Sequence, residues 1–197
     1  MDEEQTIKLL NSQIRNLYGN VFWTHKIHEK DADIYRCWNN WLKITQIVLS
    51  AISTTGIVFI LFGVSEDTPL QDGRYDCVRW AALISSAISA LLVIANSLSK
   101  GYDLGALAES HSATALNLLD LREEYLSLLY DIKARCISVE DIQSQRDELK
   151  ERTLAVYTNA PRTTSKGYSK AAKAIENGEP FFSKGSLNKI LPIDLQE

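Results

Sequence analysis

Apolar residues recur at helical spacings along most of the chain. Near the N-terminus they lie three or four positions apart, which predicts one buried face of a helix formed by Ile7, Leu10, Ile14 and Leu17. Residues 1–43 are predicted to be helical, with a break suggested by Asn16 and Gly19. This first segment therefore looks like one or two amphipathic helices.

Two later stretches carry no charged residue, residues 44–64 and residues 80–98. As a helix, each spans about 30 Å, the thickness of a hydrocarbon core. The polar link between them contains Pro69 and Gly73 and is long enough to reverse the chain. These features predict a transmembrane hairpin. The alternative is two buried helices in a soluble bundle, but a soluble core helix rarely runs this far without a charge.

The residues that flank the two stretches predict the orientation of the hairpin. Trp38 and Trp41 precede the first stretch, where interfacial aromatic residues are expected. The link carries Arg74 and Arg79 beside acidic residues. More basic residues lie before the first stretch or after the second, namely Lys26, Lys30, Arg36, Lys43 and Lys100. Because basic residues favour the cytoplasmic side, both termini are predicted to be cytoplasmic.

The segment after the hairpin is predicted to be one long helix from Gly101 onward. Its apolar positions alternate by three and four, as in a heptad, and are the predicted bundle contacts: Leu118, Leu121, Tyr125, Leu128 and Ile132. Ser138 opens a capping-box-like sequence, SVED, before a charged and solvent-exposed helix that runs to about Val156. A short last helix is predicted to end at Asn177 and Gly178.

The predicted fold class is therefore all-α, a two-transmembrane helical hairpin with long cytoplasmic flanking helices that form a bundle. One domain is expected over residues 1–175, with transmembrane helices at about 44–64 and 80–98 and a C-terminal tail at 176–197. The acidic N-terminus lacks the basic and apolar regions of a signal peptide. Membrane entry is thus expected to depend on the internal apolar stretches.

Charge and composition argue against several classes of function. Lys and Arg number 21 against 25 Asp and Glu, so no direct nucleic-acid binding is expected. The three cysteines lie far apart and are expected to be free thiols. The chain has no glycine-rich phosphate loop and no nucleophile motif. It is therefore expected not to be an enzyme, with no catalytic residues and no cofactor.

The three histidines give weak signals. His25 and His28 could share a helix face and hold a metal ion, but no third ligand is evident. Ordinary histidines on a polar face are the simpler interpretation, and no metal site is predicted. His111 lies alone among the apolar positions, where a bundle histidine is expected and a pH sensor is physically conceivable.

Polar residues inside the apolar stretches are the most informative signal. They are Gln46, Ser50 and Ser53 in the first stretch, and Ser85, Ser89 and Asn96 in the second. Each set falls on one stripe of a helix. For the serines this pattern suits close helix packing and pore lining equally well. The amides of Gln46 and Asn96 need partners or water within hydrocarbon, or, near the predicted cytoplasmic ends of the helices, they reach the lipid headgroups. Gly101 and Gly105 form a G-x-x-x-G at the end of the second stretch and are the predicted hinge. Since two helices cannot enclose a lumen, a pore requires a homo-oligomer.

Three segments resemble the SLATT family, the two-transmembrane effector domains associated with SMODS and SLOG systems. They are NVFWTHKIHEKDADIYRCWNNW, YDLGALAESHSATALNLLDLREEYLSLL and YTNAPRTTSKGYSKA. The resemblance covers about residues 5–175 and is closest to the branch linked to reverse transcriptases. Its motifs are diffuse and include no catalytic signature, so it carries over no family-wide site residues.

The resemblance implies a membrane effector of a bacterial antiphage system. Such an effector oligomerises into a pore that permeabilises the inner membrane and causes abortive infection. Its expected partners are the lipid bilayer, further copies of the chain, and a sensor such as a nucleotidyltransferase or reverse transcriptase system. The alternative is a non-pore membrane anchor or scaffold for a cytoplasmic signalling partner.

Overall fold

The computed structural model describes residues 3–63 and 72–179, which form five helices. They are α1 (Glu3–Gly63), α2 (Asp72–Gly101), α3 (Leu104–Ala134), α4 (Val139–Asn159) and α5 (Ser165–Glu176). These residues contain no strand, and the predicted all-α class is confirmed. The end of the first apolar stretch at residue 64, much of the link and most of the predicted tail lie outside the described residues.

α1 is one unbroken helix of 61 residues, so the break predicted at Asn16 and Gly19 is wrong. Ile14 and Val21 lie on either side of this point and are only 0% and 1% exposed. A glycine inside a helix costs about 1 kcal/mol relative to alanine, whereas burying a large aliphatic side chain contributes about 1.5–3 kcal/mol. Continuing the buried face therefore outweighs the local preference of these two residues.

The chain breaks between α2 and α3, so the single helix predicted from Gly101 onward is wrong at its start. α2 ends at Gly101, and α3 begins only at Leu104. The Asp103 carboxylate accepts a hydrogen bond of 2.9 Å from the Ala106 backbone N–H. Because a free N–H in the first turn needs such an acceptor, Asp103 favours a new helix start here.

Side-chain hydroxyls cap the two helices that follow. The Ser138 hydroxyl accepts a hydrogen bond of 3.1 Å from the Asp141 N–H at the start of α4, which confirms the capping sequence SVED. The Thr164 hydroxyl accepts one of 2.9 Å from the Gly167 N–H at the start of α5. Gly178 follows α5 with a φ of 85°, a left-handed conformation that ends the helix where the sequence predicts.

The chain separates into two compact units. Unit 1 comprises residues 1–34 and 107–197 and, in its described part, is a bundle built from α1, α3, α4 and α5. The predicted bundle contacts on α3 lie in its core, and each is at most 6% exposed: Leu118, Leu121, Tyr125, Leu128 and Ile132. Ile142 and Leu149 of α4 are buried in the same core, so α4 is not the wholly exposed helix that its charge suggests.

A buried aspartate holds the loop between α4 and α5 against α1. Asp31 is 0% exposed, and its carboxylate accepts hydrogen bonds from the Thr164 backbone N–H at 2.8 Å and from the Thr164 hydroxyl. Gly167 lies against the same carboxylate, where a Cβ would be 2.2 Å from Oδ1. The first turn of α5 can approach Asp31 this closely because position 167 has no side chain.

Two histidines of unit 1 form a buried pair. Nδ1 of His28 lies 2.9 Å from Nδ1 of His111, and the two residues are fully or almost fully buried. Burial, together with the neighbouring His111, lowers the pKa of His28 to about 4. Burial also lowers the pKa of His111. Both rings are therefore neutral at pH 7, and one Nδ1 donates its hydrogen to the other.

Unit 2 comprises residues 35–106 and turns its apolar residues outward. Large exposed side chains include Ile47, Ile52, Leu83, Leu91 and Val93. The described residues contain two helical segments long and apolar enough to cross a membrane, and only 6% of the apolar window in each is buried. The core helix of a soluble protein is mostly buried, so this exposure favours the membrane hairpin over the soluble bundle.

We expect acid to destabilise the bundle through the histidine pair. The pKa of folded His28 lies below the ordinary value of 6.5, so between pH 6.5 and about 4 the unfolded chain binds more protons. The contribution of the neutral histidine to the free energy of unfolding is complete above pH 6.5. It is lost as the pH falls, by at most about 1.4 kcal/mol per pH unit for each such histidine.

The melting temperature of the full chain in detergent should therefore be lower at pH 5 than at pH 7.5. His28→Gln should show a smaller difference, since glutamine does not titrate. An equal difference in the wild-type chain and the variant would contradict this account.

Candidate functional site

Polar side chains of the two apolar helices meet inside unit 2. The Ser53 and Ser89 hydroxyl oxygens are 2.6 Å apart, and the Ser89 hydroxyl donates to the backbone carbonyl of Ser85 at 2.8 Å. Since Ser89 has one hydrogen and uses it within α2, the Ser53 hydroxyl is the donor between the helices. Ser53 and Ser85 are both buried.

The backbones approach closely at Gly56. A Cβ at this position would lie 1.9 Å from the Ser85 hydroxyl oxygen and 3.2 Å from its Cβ. Only glycine fits so near the opposite helix without a shift of one of them. Sequence reasoning missed Gly56, although its position three residues after Ser53 places it on the same helix face.

Gln46 makes the third contact between these helices. Its side-chain Nε2 donates to the backbone carbonyl of Ala95 at 3.2 Å, and the residue is half-buried. A helix carbonyl already accepts one backbone hydrogen bond and has a second lone pair for such a donor. Gln46, Ser53, Gly56, Ser85 and Ser89 together are called the hairpin seam below.

The remaining two residues of the predicted polar stripes lie outside the hairpin seam. Ser50 and Asn96 are both exposed, and neither side chain has a hydrogen-bond partner among the described residues. The structure thus divides the six residues into Gln46, Ser53, Ser85 and Ser89, which join the helices, and Ser50 and Asn96, which face outward. Whether any of the six lines a pore stays a prediction.

The predicted hinge positions differ from each other in their surroundings. A Cβ at Gly101 would meet no atom within 4 Å, whereas one at Gly105 would lie 3.3 Å from Asp103 Oδ1 and 3.5 Å from Asn39 Nδ2. Both glycines flank the break between α2 and α3. A hinge function for them stays a prediction.

The described histidines and cysteines belong to no cluster of side chains that could bind a metal ion. Over the described residues, no group of three or more His, Cys, Asp or Glu side chains is placed to hold an ion. His28, one half of the weak metal pair, instead contacts His111. The described part of the hairpin offers hydroxyl and amide groups, which can join helices or contact water. Within that part, no base lies beside them to activate a nucleophile.

We expect Gly56→Ala to destabilise the hairpin by about 1–3 kcal/mol, because the added methyl group collides with Ser85. In the double variant with Ser85→Gly, which removes both colliding atoms, the loss should be smaller than the sum of the two single losses. Thermal denaturation in detergent micelles measures each change.

The matched control is Gly101→Ala, where the methyl group enters open space and should have little effect on stability. Equal effects of Gly56→Ala and Gly101→Ala, or strict additivity in the double variant, would rule out the close approach.

Comparison with known proteins gives one family. The family described as "SMODS and SLOG-associating 2TM effector domain family 4" matches residues 10–185, which is most of the chain. No curated protein and no solved structure matches it. The two apolar, outward-facing helices agree with the two transmembrane segments of this description, and the chain is a membrane protein. The chain belongs to the SMODS and SLOG-associating two-transmembrane effector domain family 4, and the resemblance to SLATT domains is confirmed at the level of the domain.

Proposed function

We propose that the chain assembles through its hairpin into a homo-oligomeric pore that permeabilises the bacterial inner membrane and causes abortive infection. In this proposal the hairpin crosses the membrane twice, with both termini in the cytoplasm. The protein acts without catalysis. Its trigger comes from a sensor partner, a nucleotidyltransferase or a reverse transcriptase system, and the chain belongs to the branch linked to the latter.

The observation that carries this proposal is the exposure of Ser50 and Asn96 on apolar helices. Neither side chain has a hydrogen-bond partner in the part of the chain that the structure describes. An amide that faces hydrocarbon without a partner costs several kcal/mol, about 2–7 on most scales. Water in a lumen or a polar group of another copy would remove that cost for Asn96.

Three neighbouring polar residues do not need such a partner. Thr54, Thr55 and Ser97 are exposed as well, but each hydroxyl donates at 2.9 Å to the backbone carbonyl four residues earlier in its own helix. Such hydroxyls can face lipid at little cost, because the donor is satisfied locally. Among the described residues of the apolar stretches, the requirement for an outside partner therefore falls on Ser50, Ser86 and Asn96.

The hairpin seam favours a second candidate function. Gln46, Ser53 and Ser89 use their polar groups between the helices of one copy, which leaves them unavailable to a lumen while the hairpin stays closed. A hairpin whose polar residues serve only its own stability is suited to anchoring. The second candidate is therefore a membrane anchor or scaffold for a cytoplasmic signalling partner.

We expect Asn96→Leu to reduce the ion flux of the triggered protein in liposomes by about tenfold or more, because it replaces an amide in the lumen with an apolar group. The matched control is Ser97→Leu, whose serine lies next along α2 and is satisfied by its own backbone. Flux measured with a voltage-sensitive dye, together with cross-linking to count copies, separates loss of conduction from loss of assembly. Wild-type flux in Asn96→Leu, or no flux with the triggered wild-type chain, would favour the anchor.

The topology has its own test. A reporter inserted at Gly73, at the start of α2, should behave as external to the cytoplasm, because the flanks carry more basic residues than the link. A reporter fused to the N-terminus should behave as cytoplasmic. A cytoplasmic signal at Gly73 would refute the proposed orientation.

A further inference from the structure

A cavity of about 620 Å³ opens in unit 1 between α1 and the end of α4 with the loop that follows it. Trp23 and His28 of α1 line one side, while Tyr157 and Arg162 line the other. Among the described residues that line it, none is acidic. The volume falls in the range of small-molecule sites, and the lining lacks any group that would repel an anion.

Two of these side chains are available to an anion. Arg162 is exposed, and no described carboxylate pairs with it, whereas Arg146 and Arg152 pair with Asp147 and Glu124. His28 uses Nδ1 for its contact with His111, which leaves Nε2 for the cavity. When the His111 Nδ1 is the donor of that pair, His28 carries its hydrogen on Nε2 and offers it to a ligand.

The two aromatic walls are held in place. The Trp23 ring packs edge-on against Tyr168 with a centroid distance of 5.4 Å. The Tyr157 hydroxyl donates to the Thr24 hydroxyl at 3.5 Å, and that hydroxyl donates to the Asn20 carbonyl at 2.8 Å. Aromatic side chains that are already held in place suit a planar ligand, because little conformational entropy is lost in ordering them when it binds.

The rim that carries Arg162 is also fixed. The backbone N–H of Thr164, two residues further on, donates to the buried carboxylate of Asp31 at 2.8 Å. Asp31 lies on α1 one turn after His28, so both sides of the cavity are tied to the same helix. The donors are therefore arranged before a ligand arrives, which favours binding.

We propose that this cavity binds a small planar molecule that carries a phosphate group. The ring lies against Trp23 and Tyr157, and the phosphate lies between Arg162 and His28. A guanidinium group takes two oxygens in its fork, and a phosphate has a third oxygen for His28, whereas a carboxylate does not. This site does not depend on whether the hairpin conducts ions, and its test reads binding alone.

The test is isothermal titration calorimetry of the full chain in dodecyl maltoside, a detergent without phosphate. Phenyl phosphate should bind at least about tenfold more tightly than inorganic phosphate, benzoate or phenol, because each of these lacks one of the contacts. No heat of binding with phenyl phosphate at about 10 mM, or equal binding of phenol, overturns the proposal.

Variants locate the site. Arg162→Gln should weaken phenyl phosphate binding by about tenfold or more. Because Arg162 is exposed, its substitution should not disturb folding, so a weaker affinity would report the lost contact. Arg146→Gln is the matched control, since that arginine pairs with Asp147 and Gln13 and does not line the cavity. Trp23→Leu should bring the affinity for phenyl phosphate down to that for inorganic phosphate. Equal losses in Arg162→Gln and Arg146→Gln would show that the arginine acts only through net charge, against the proposal.

Discussion

The packing of the hairpin depends on the close approach of its two helices at Gly56, opposite Ser85. The contact brings the Ser53 and Ser89 hydroxyls within hydrogen-bond distance and sets Gln46 opposite the Ala95 carbonyl. Once those groups are used between the helices, the described outward surface of the hairpin carries large apolar side chains and hydroxyls that mostly bond within their own helix. The packing of one copy thus determines which polar groups are left for water or for other copies.

α1 shows how one helix can serve two surroundings. Its N-terminal part has a single buried face, with Ile14 and Val21 inside the bundle core. Its C-terminal part instead exposes large apolar side chains, among them Ile47 and Ile52. The same helical backbone therefore presents a single buried face in one part and exposed apolar side chains in the other. The two parts differ only in their side chains. The hydrogen bonds of a helix are internal, so the backbone needs no adjustment to pass from water to hydrocarbon.

The helices and the bundle core could be predicted from the sequence, because periodicity depends on neighbours along the chain. The spacing of Leu118, Leu121 and Tyr125 already specifies a common face, and the structure buries all three. The contact between His28 and His111 could not be predicted in this way, since it joins residues 83 positions apart. The importance of Gly56 was hidden for a similar reason, because a glycine shows its purpose only through the atoms opposite it. The local preference of Gly19 predicted a break that does not occur, because the buried Ile14 and Val21 on either side keep α1 helical throughout.

The contact between Asp31 and Gly167 limits how this domain can diverge. The carboxylate occupies the volume that a side chain at position 167 would need, and it also anchors Thr164. Replacing Gly167 alone displaces the acid, and replacing Asp31 alone leaves the loop without its acceptor. We therefore expect homologues to change these two positions together, with a smaller hydrogen-bond acceptor in place of the acid when the glycine is lost. The residues at the two positions should vary together in an alignment of the family. Relatives that keep both residues would be those in which this loop closes against α1 in the same way.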